Sequence, residues 1–264
     1  MVRPRRAPDW LVAIAGAALL VGAGSLRVQA ADLRVLSGGG ARAVLQTLAP
    51  QFQAATGNRV ELHFAVVGVI QQQLMKGEKA DVLVLPVPLI DAVEKAGAFR
   101  TQLRTIVGRI PIGVVVREGV GAPDISHPDA VRQALVSARS VVFPDPKVTP
   151  TGKHLMATFA QMGIAESMQP KITFKNAIDG GVNLVRDGKA DLGLFLVTEI
   201  LPVKGITLVG TLPSALQGYV VYAAAVAADS HASEAAAQFV KSLAEPEARS
   251  KWKAAGFELT GGMQ

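Results

Sequence analysis

The 264-residue sequence contains no cysteine. That single absence removes a disulfide framework, a thiolate zinc site, an iron–sulfur cluster and a thiol nucleophile together. Aromatic residues are only 5 % of the chain, with two tryptophans and two tyrosines. No lysine/arginine stripe is interleaved with them, so no nucleic-acid partner is expected. The four histidines, His63, His127, His154 and His231, share no metal-ligand spacing, and no metal cation or other cofactor is expected. Gly-x-Ser-x-Gly, the signature of a nucleophile elbow, is also missing.

What is present is a half-apolar composition long enough for one large core or two moderate ones. The first thirty residues read differently from the rest. Arg3, Arg5 and Arg6 form a basic head, Leu11 to Gly24 is a run of small and aliphatic residues, and Val28-Gln29-Ala30 supplies small residues before a cut. This is the pattern of a cleaved secretory signal peptide spanning residues 1–30, too short in its apolar part for the ~20 residues of a membrane span. Four arginines and one aspartate leave with it, so the formal net charge falls from +6 to +3. A mild positive field of that size steers small anions and does not specify a polyanion.

The mature chain opens on Leu33 to Arg42, LRVLSGGGAR: a strand, a serine, three glycines and the start of a helix whose Val44, Leu45, Leu48 and Phe52 share one face. Strands at Arg59–Val66 and Asp81–Leu85 alternate with helices at Val69–Lys76 and Leu89–Ala96, which is the order of a parallel sheet flanked by helices. The pattern restarts after the strand Ile110–Val116. The tripeptide Lys-Ala-Asp recurs at 79–81 and 189–191, each time before an apolar strand, as a weak internal symmetry of architecture.

Four helix starts are marked by glycine: Gly38-Gly39-Gly40, Gly68, Thr151-Gly152 and Gly180-Gly181. Each follows a strand, and the carboxyl edge of such a sheet is where ligands bind. Helix N-termini carry free N–H groups and partial positive charge, so four of them facing one cleft would hold an anion without a lysine or arginine. Two competing motifs are weaker. Gly38 to Ala43 fits a dinucleotide fingerprint with Glu61 downstream, but Glu61 stands early in its strand, away from where a ribose would lie. Thr151-Gly152-Lys153 lacks both the earlier glycine and the final Ser/Thr of a phosphate-binding loop. Glu199, at the end of the strand Asp191–Val197, points to the same cleft edge as a group that orients a neighbour, meets a cation or caps a turn.

The order and spacing of LRVLSGGGARAVLQTLAPQFQAATGNRVELHFA, GEKADVLVLP at 77–86, DPKVTPTGKHLMATFAQMGI at 145–164, LVRDGKADLGLFLVTEI at 184–200 and the final WKAAGFELT resemble the periplasmic molybdate-binding proteins of ABC transporters. The resemblance implies a two-lobed α/β periplasmic binding protein fold of type II, each lobe a mainly parallel sheet flanked by helices. It places residues 32–109 plus 219–264 in lobe 1 and 110–218 in lobe 2. It implies a periplasmic monomer that closes on a small anionic ligand and delivers it to an ABC transporter permease, with no reaction. The ligand-binding positions expected are Ser37, Gly39, Gly40, Val67, Gly68, Thr151, Gly152, Ile178 and Asp179, mostly through backbone N–H. The family's hydroxyl-bearing positions fall on Gly40, on Val66-Val67-Gly68 and on Leu196, none of which has a hydroxyl. The ligand is therefore either an oxyanion of the molybdate or tungstate type or a small organic carboxylate. A secreted enzyme of the same fold is the remaining alternative.

Overall fold

The computed structural model describes residues 30–259. The signal-peptide expectation for residues 1–30 lies almost wholly outside them. Among the described residues no helix is long and apolar enough to cross a membrane.

Two five-stranded sheets organise the chain. In the first, β1 (Asp32–Gly38) is flanked by parallel neighbours β2 (Arg59–Ala65) and β3 (Val82–Pro86), and β3 then pairs antiparallel with β10 (Val220–Ala227), which pairs with β4 (Thr101–Ile110). In the second, β6 (Val141–Phe143) lies between parallel β7 (Ile172–Phe174) and β8 (Leu192–Leu196), after which β5 (Ile112–Arg117) and β9 (Ile206–Thr211) add antiparallel joins. The orders β2-β1-β3-β10-β4 and β7-β6-β8-β5-β9 correspond strand for strand. Each lobe is thus a mixed sheet, parallel on one side and antiparallel on the other.

The recurrent Lys-Ala-Asp has a matching role in both lobes. Asp81 Oδ2 accepts from the backbone N–H of Arg34 at 2.8 Å, and Asp191 Oδ2 accepts from that of Arg139 at 2.9 Å. In each case an aspartate just before a buried strand fixes the start of its neighbour.

Helix α1 (Arg42–Thr56) buries Val44, Leu45, Leu48 and Phe52, tolerates Pro50 within it and ends at Gly57, whose φ of 76° suits a residue without Cβ. The strand β4 has no counterpart in the sequence reading. Its polar and charged residues (TQLRTIVGRI) break the apolar run that marks β3 and β8, and only pairing with β10 reveals it. The segment Ile110–Val116, read as one strand, is divided by Pro111: Ile110 ends β4 in the first sheet and Ile112 begins β5 in the second.

This crossover is tied to the returning chain by one side chain. Gln217 Oε1 accepts from the N–H of Ile112 at 2.8 Å, while its Nε2 donates to the carbonyls of Ile112 at 3.1 Å and Leu212 at 3.2 Å. Behind it, the C-terminal helices α9 (Ser233–Ser242) and α10 (Pro246–Ala254) return to the first lobe. Trp252 is fully buried, donates Nε1–H to the Leu243 carbonyl and stacks edge-on with Phe257, which meets Tyr222 in the same manner.

Replacing Gln217 with alanine leaves the Ile112 amide and carbonyl without that partner. The expected cost is about 2 kcal/mol, seen as a fall of roughly 4–8 °C in thermal midpoint for a chain of this size.

Candidate functional site

The carboxyl ends of β1, β3, β6 and β8 converge between the two sheets on a narrow cleft of about 40 Å³ that is partly open to solvent. The first lobe contributes Gly39, Val66, Val67, Pro86, Val220 and Tyr222. The second contributes Pro144, Thr149, Pro150, Thr151, Asn176, Ala177, Ile178, Leu196 and Glu199. No lysine or arginine is among them.

Four helical starts supply the polar floor. β1 runs into a 3-10 turn at Gly39–Ala41, and α2 (Val67–Met75) begins at Val67. On the facing lobe α5 (Pro150–Gln161) begins beneath Thr149, whose Oγ1 accepts from the Gly152 N–H at 3.1 Å. A 3-10 turn at Ala177–Asp179 precedes α7 (Gly181–Arg186). The first amides of such turns have no partner within their own helix, and Gly39, Val67, Thr151 and Ile178 are the expected positions that line the cleft.

The other expected positions lie elsewhere. Ser37 is fully buried in β1, its hydroxyl donating to the Gly38 carbonyl at 3.1 Å, and it does not line the cleft. Gly68 donates its N–H to the Val148 carbonyl at 3.0 Å, so this amide joins the two lobes. A Cβ there would lie 2.8 Å from that carbonyl oxygen. Gly152 is set by packing, since a Cβ would come within 2.2 Å of the Pro144 carbonyl oxygen. Asp179 accepts from Asn176 Nδ2 at 3.0 Å and borders a shallower hollow with Phe64, Val69 and Val148. Gly40 is buried beneath Tyr222: its N–H faces the phenol oxygen, and a Cβ on it would lie 3.0 Å from Oη.

Glu199 and Tyr222, absent from the expected binding set, are the two titratable groups in the cleft. Glu199 is the third residue of the short helix α8 (Val197–Ile200), where a carboxylate reaches back to the N–H of the capping residue, here Leu196. Its side chain continues to the opposite lobe, with Oε1 placed 3.1 Å from where a Gly39 Cβ would be. Burial pushes the carboxyl up to about 7, against a smaller lowering by the Leu196 backbone. Tyr222 is almost fully buried at the first-lobe side of the cleft, and a Cβ on Gly38 would lie 2.7 Å from its Oη. Burial, with the Glu199 carboxyl adding to it, holds the phenol far above its ordinary value. A signal for Glu199 was present in the sequence, as a carboxylate just past a cleft strand. For Tyr222 there was none, because its strand is far along the chain from the glycines it covers.

His154, one of the four histidines without metal-ligand spacing, is half-buried. Its Nε2 lies 2.9 Å from the Leu216 carbonyl, and its ring fills the space that a Gly218 side chain would need.

Comparison with known proteins places this geometry. The profile of the bacterial extracellular solute-binding protein family matches residues 33–258. The chain is 31 % identical to an aconitate isomerase of a Pseudomonas species over 240 residues, covering 88 % of this chain and 90 % of that one. It is 24 % identical to the molybdate-binding protein ModA of Escherichia coli (strain K12), covering 96 % and 99 %. Among solved structures, the periplasmic molybdate-binding protein of Azotobacter vinelandii superposes with a TM-score of 0.73 at 19 % identity, covering 86 % of this chain and 99 % of that one. The expectation of a binder without any reaction is corrected by the first of these relatives, an enzyme matched over most of both chains. The family's description carries with it an extracellular setting and a small solute as ligand. With the two-lobed fold and the cleft between its lobes, the match along residues 33–258 establishes that this chain belongs to the bacterial extracellular solute-binding protein family.

Proposed function

We propose that this protein binds a small organic carboxylate in the interlobe cleft and shifts a proton on it, with Glu199 as the proton carrier. The carrying observation is Glu199 itself: a carboxyl pushed up to about 7, inside a cleft lined by Val66, Val67, Pro86, Leu196 and Ile178 and opposite four helical N-termini. A group with that affinity for protons both takes and returns one at neutral pH. The apolar walls suit a carbon skeleton, and the turn amides at Gly39, Val67, Thr151 and Ile178 suit a carboxylate head. The aconitate isomerase relative supports an unsaturated acid as the substrate class.

The step is a 1,3-proton shift. Ionised Glu199 removes a proton from a carbon activated by an adjacent carbon–carbon double bond and carboxylate, and the electron pair delocalises over the allylic system. The turn amides stabilise the charge that accumulates on the carboxylate oxygens. Glu199 then returns the proton to the far end of the allylic system, the double bond having moved, with no net gain or loss of atoms.

A second reading, an oxyanion of the molybdate type, is supported by the ModA similarity and by the neutral donors of the four turns. The missing hydroxyls at Gly40, Gly68 and Leu196 weigh against it, as does an acidic side chain where a dianion would sit.

A thermal-shift panel of molybdate, tungstate, sulfate and phosphate against citrate, cis- and trans-aconitate and aromatic acids separates the two. The carboxylate reading expects stabilisation by an organic acid at concentrations where oxyanions give none. Proton magnetic resonance then follows isomerisation of cis- and trans-aconitate and uptake of solvent deuterium. Glu199→Gln is expected to lose both by at least a hundredfold while an organic acid still raises the thermal midpoint. Stabilisation by molybdate alone, with no turnover of any acid, sinks the proposal.

Ligand-free stability carries its own signature of Glu199. Between about pH 4.5 and 7 the folded protein holds a proton that the unfolded chain has released, so stability falls as pH rises through that window and levels off above it. The fall is at most about 3 kcal/mol, measured by urea denaturation from pH 4.5 to 8, and Glu199→Gln flattens it by that amount. Gly68→Val, which forces a side chain onto the Val148 carbonyl, is expected to hold the lobes apart. Small-angle scattering should show a larger radius of gyration, with ligand affinity down about tenfold or more.

A further inference from the structure

We infer that Glu199 couples ligand capture to proton uptake: the anion and one proton enter the cleft together, and the carboxyl meets the bound ligand as a neutral hydrogen-bond donor. The inference rests on the anion-binding cleft proposed above, but not on turnover. Its basis is the charge inventory. The polar groups that face the cleft are backbone amides, Thr149, Thr151, Asn176, Tyr222 and Glu199, and only the last carries a charge near neutral pH.

Three charged groups on the surrounding elements are engaged elsewhere. Arg42, just after the glycine turn, lies 5.0 Å over the Phe64 ring. Arg109, at the end of β4, pairs with Glu258 at 2.8 Å and stacks on Tyr219. Asp179, on the turn facing Gly39, accepts from Asn176. On β10 the facing group is the neutral phenol of Tyr222. No lysine or arginine lines the cleft with Glu199 to accept a second negative charge in the same enclosure.

An anion seated on the four turns would lie against the Glu199 carboxyl, which lines the same cleft and whose Oε1 stands 3.1 Å from where a Gly39 Cβ would be. Two like charges in a low-dielectric space repel, so the carboxyl holds its proton more tightly as the anion arrives and the neutral form predominates, the ionised minority being the form that begins the proton shift. Protonated, it has one O–H to give to the ligand. The acid thereby prefers ligands that tolerate or bring a proton, and it disfavours anions that remain fully ionised and need a cationic partner. For a carboxylate substrate this divides binding from chemistry: affinity weakens with rising pH, while the ionised fraction that begins the proton shift grows.

Isothermal calorimetry on the full mature chain, with trans-aconitate and with molybdate in parallel, tests this in two buffers of different ionisation enthalpy. At pH 8 the buffer dependence of the heat is expected to report about one proton taken up per ligand, falling toward none at pH 5.5. Kd should weaken about tenfold per pH unit above neutrality. Glu199→Gln, whose amide N–H replaces the acid O–H, should bind with no buffer-dependent heat and a constant Kd from pH 6 to 9. Tyr222→Phe should keep the proton uptake. Wild-type binding at pH 8 without proton uptake, or uptake that survives in Glu199→Gln, overturns the inference. Failure of both probes to bind at any pH overturns it together with the anion-binding reading, whereas binding with proton uptake but no isomerisation removes only the enzymatic part of that reading.

Discussion

The cleft is governed by a carboxyl that projects from one lobe toward the other, with no lysine or arginine among the residues lining the cleft. Glu199 starts from α8 in the second lobe and ends against Gly39 in the first. Its own helix holds it through the Leu196 amide, and burial works against its charge. On the proposed coupling, lobe closure and the proton state of the site would be one equilibrium, because hydration of the carboxyl favours its charge and enclosure favours the neutral form. The Gly68–Val148 hydrogen bond matters in this sense, since it joins the two lobes beside the cleft.

The three glycines acquire a different meaning in this setting. Their expected use was as a row of anion donors, and Gly39 does line the cleft. Each also leaves room that a Cβ would take from one of the two titratable side chains, Gly38 and Gly40 for the Tyr222 hydroxyl and Gly39 for the Glu199 carboxyl. The hydroxyl absent at Gly40 is thus replaced in space by the phenol of Tyr222. That phenol is in turn buttressed by Phe257 and Trp252, so the C-terminal segment supports the cleft although none of its described residues lines it.

Much of this fold was legible because it is written in local pattern. The apolar face of α1, the uninterrupted strands β3 and β8 and the glycine-marked helix starts all depend on neighbours within a few residues. What escaped depends on distant ones. β4 is polar enough to hide until β10 pairs with it. Gly68 read as a free helix-start amide because nothing nearby in sequence announces the Val148 carbonyl that accepts from it. Ser37 read as a ligand hydroxyl because it follows the first strand, but it is sequestered in the sheet with its own neighbour's carbonyl as acceptor. Glu199 was visible as a position, yet its role as an isolated acid required the absence of a cation from two lobes to be established at once.

The division between backbone and side chain also explains how one scaffold can resemble both a molybdate-binding protein and an isomerase. Donors built from turn amides survive almost any substitution that keeps the turn, so anion affinity is a property of the fold. Chemistry is a property of the few side chains that project over those turns, here one carboxyl and one phenol supplied by opposite lobes. A carboxyl in that position weakens the hold on a permanently charged dianion and, in the same stroke, provides a group able to exchange a proton with carbon acids near neutral pH. On the proposed function, the missing hydroxyl donors and the presence of Glu199 are then not separate departures from oxyanion binding: both would move the cleft from counting charges toward moving protons.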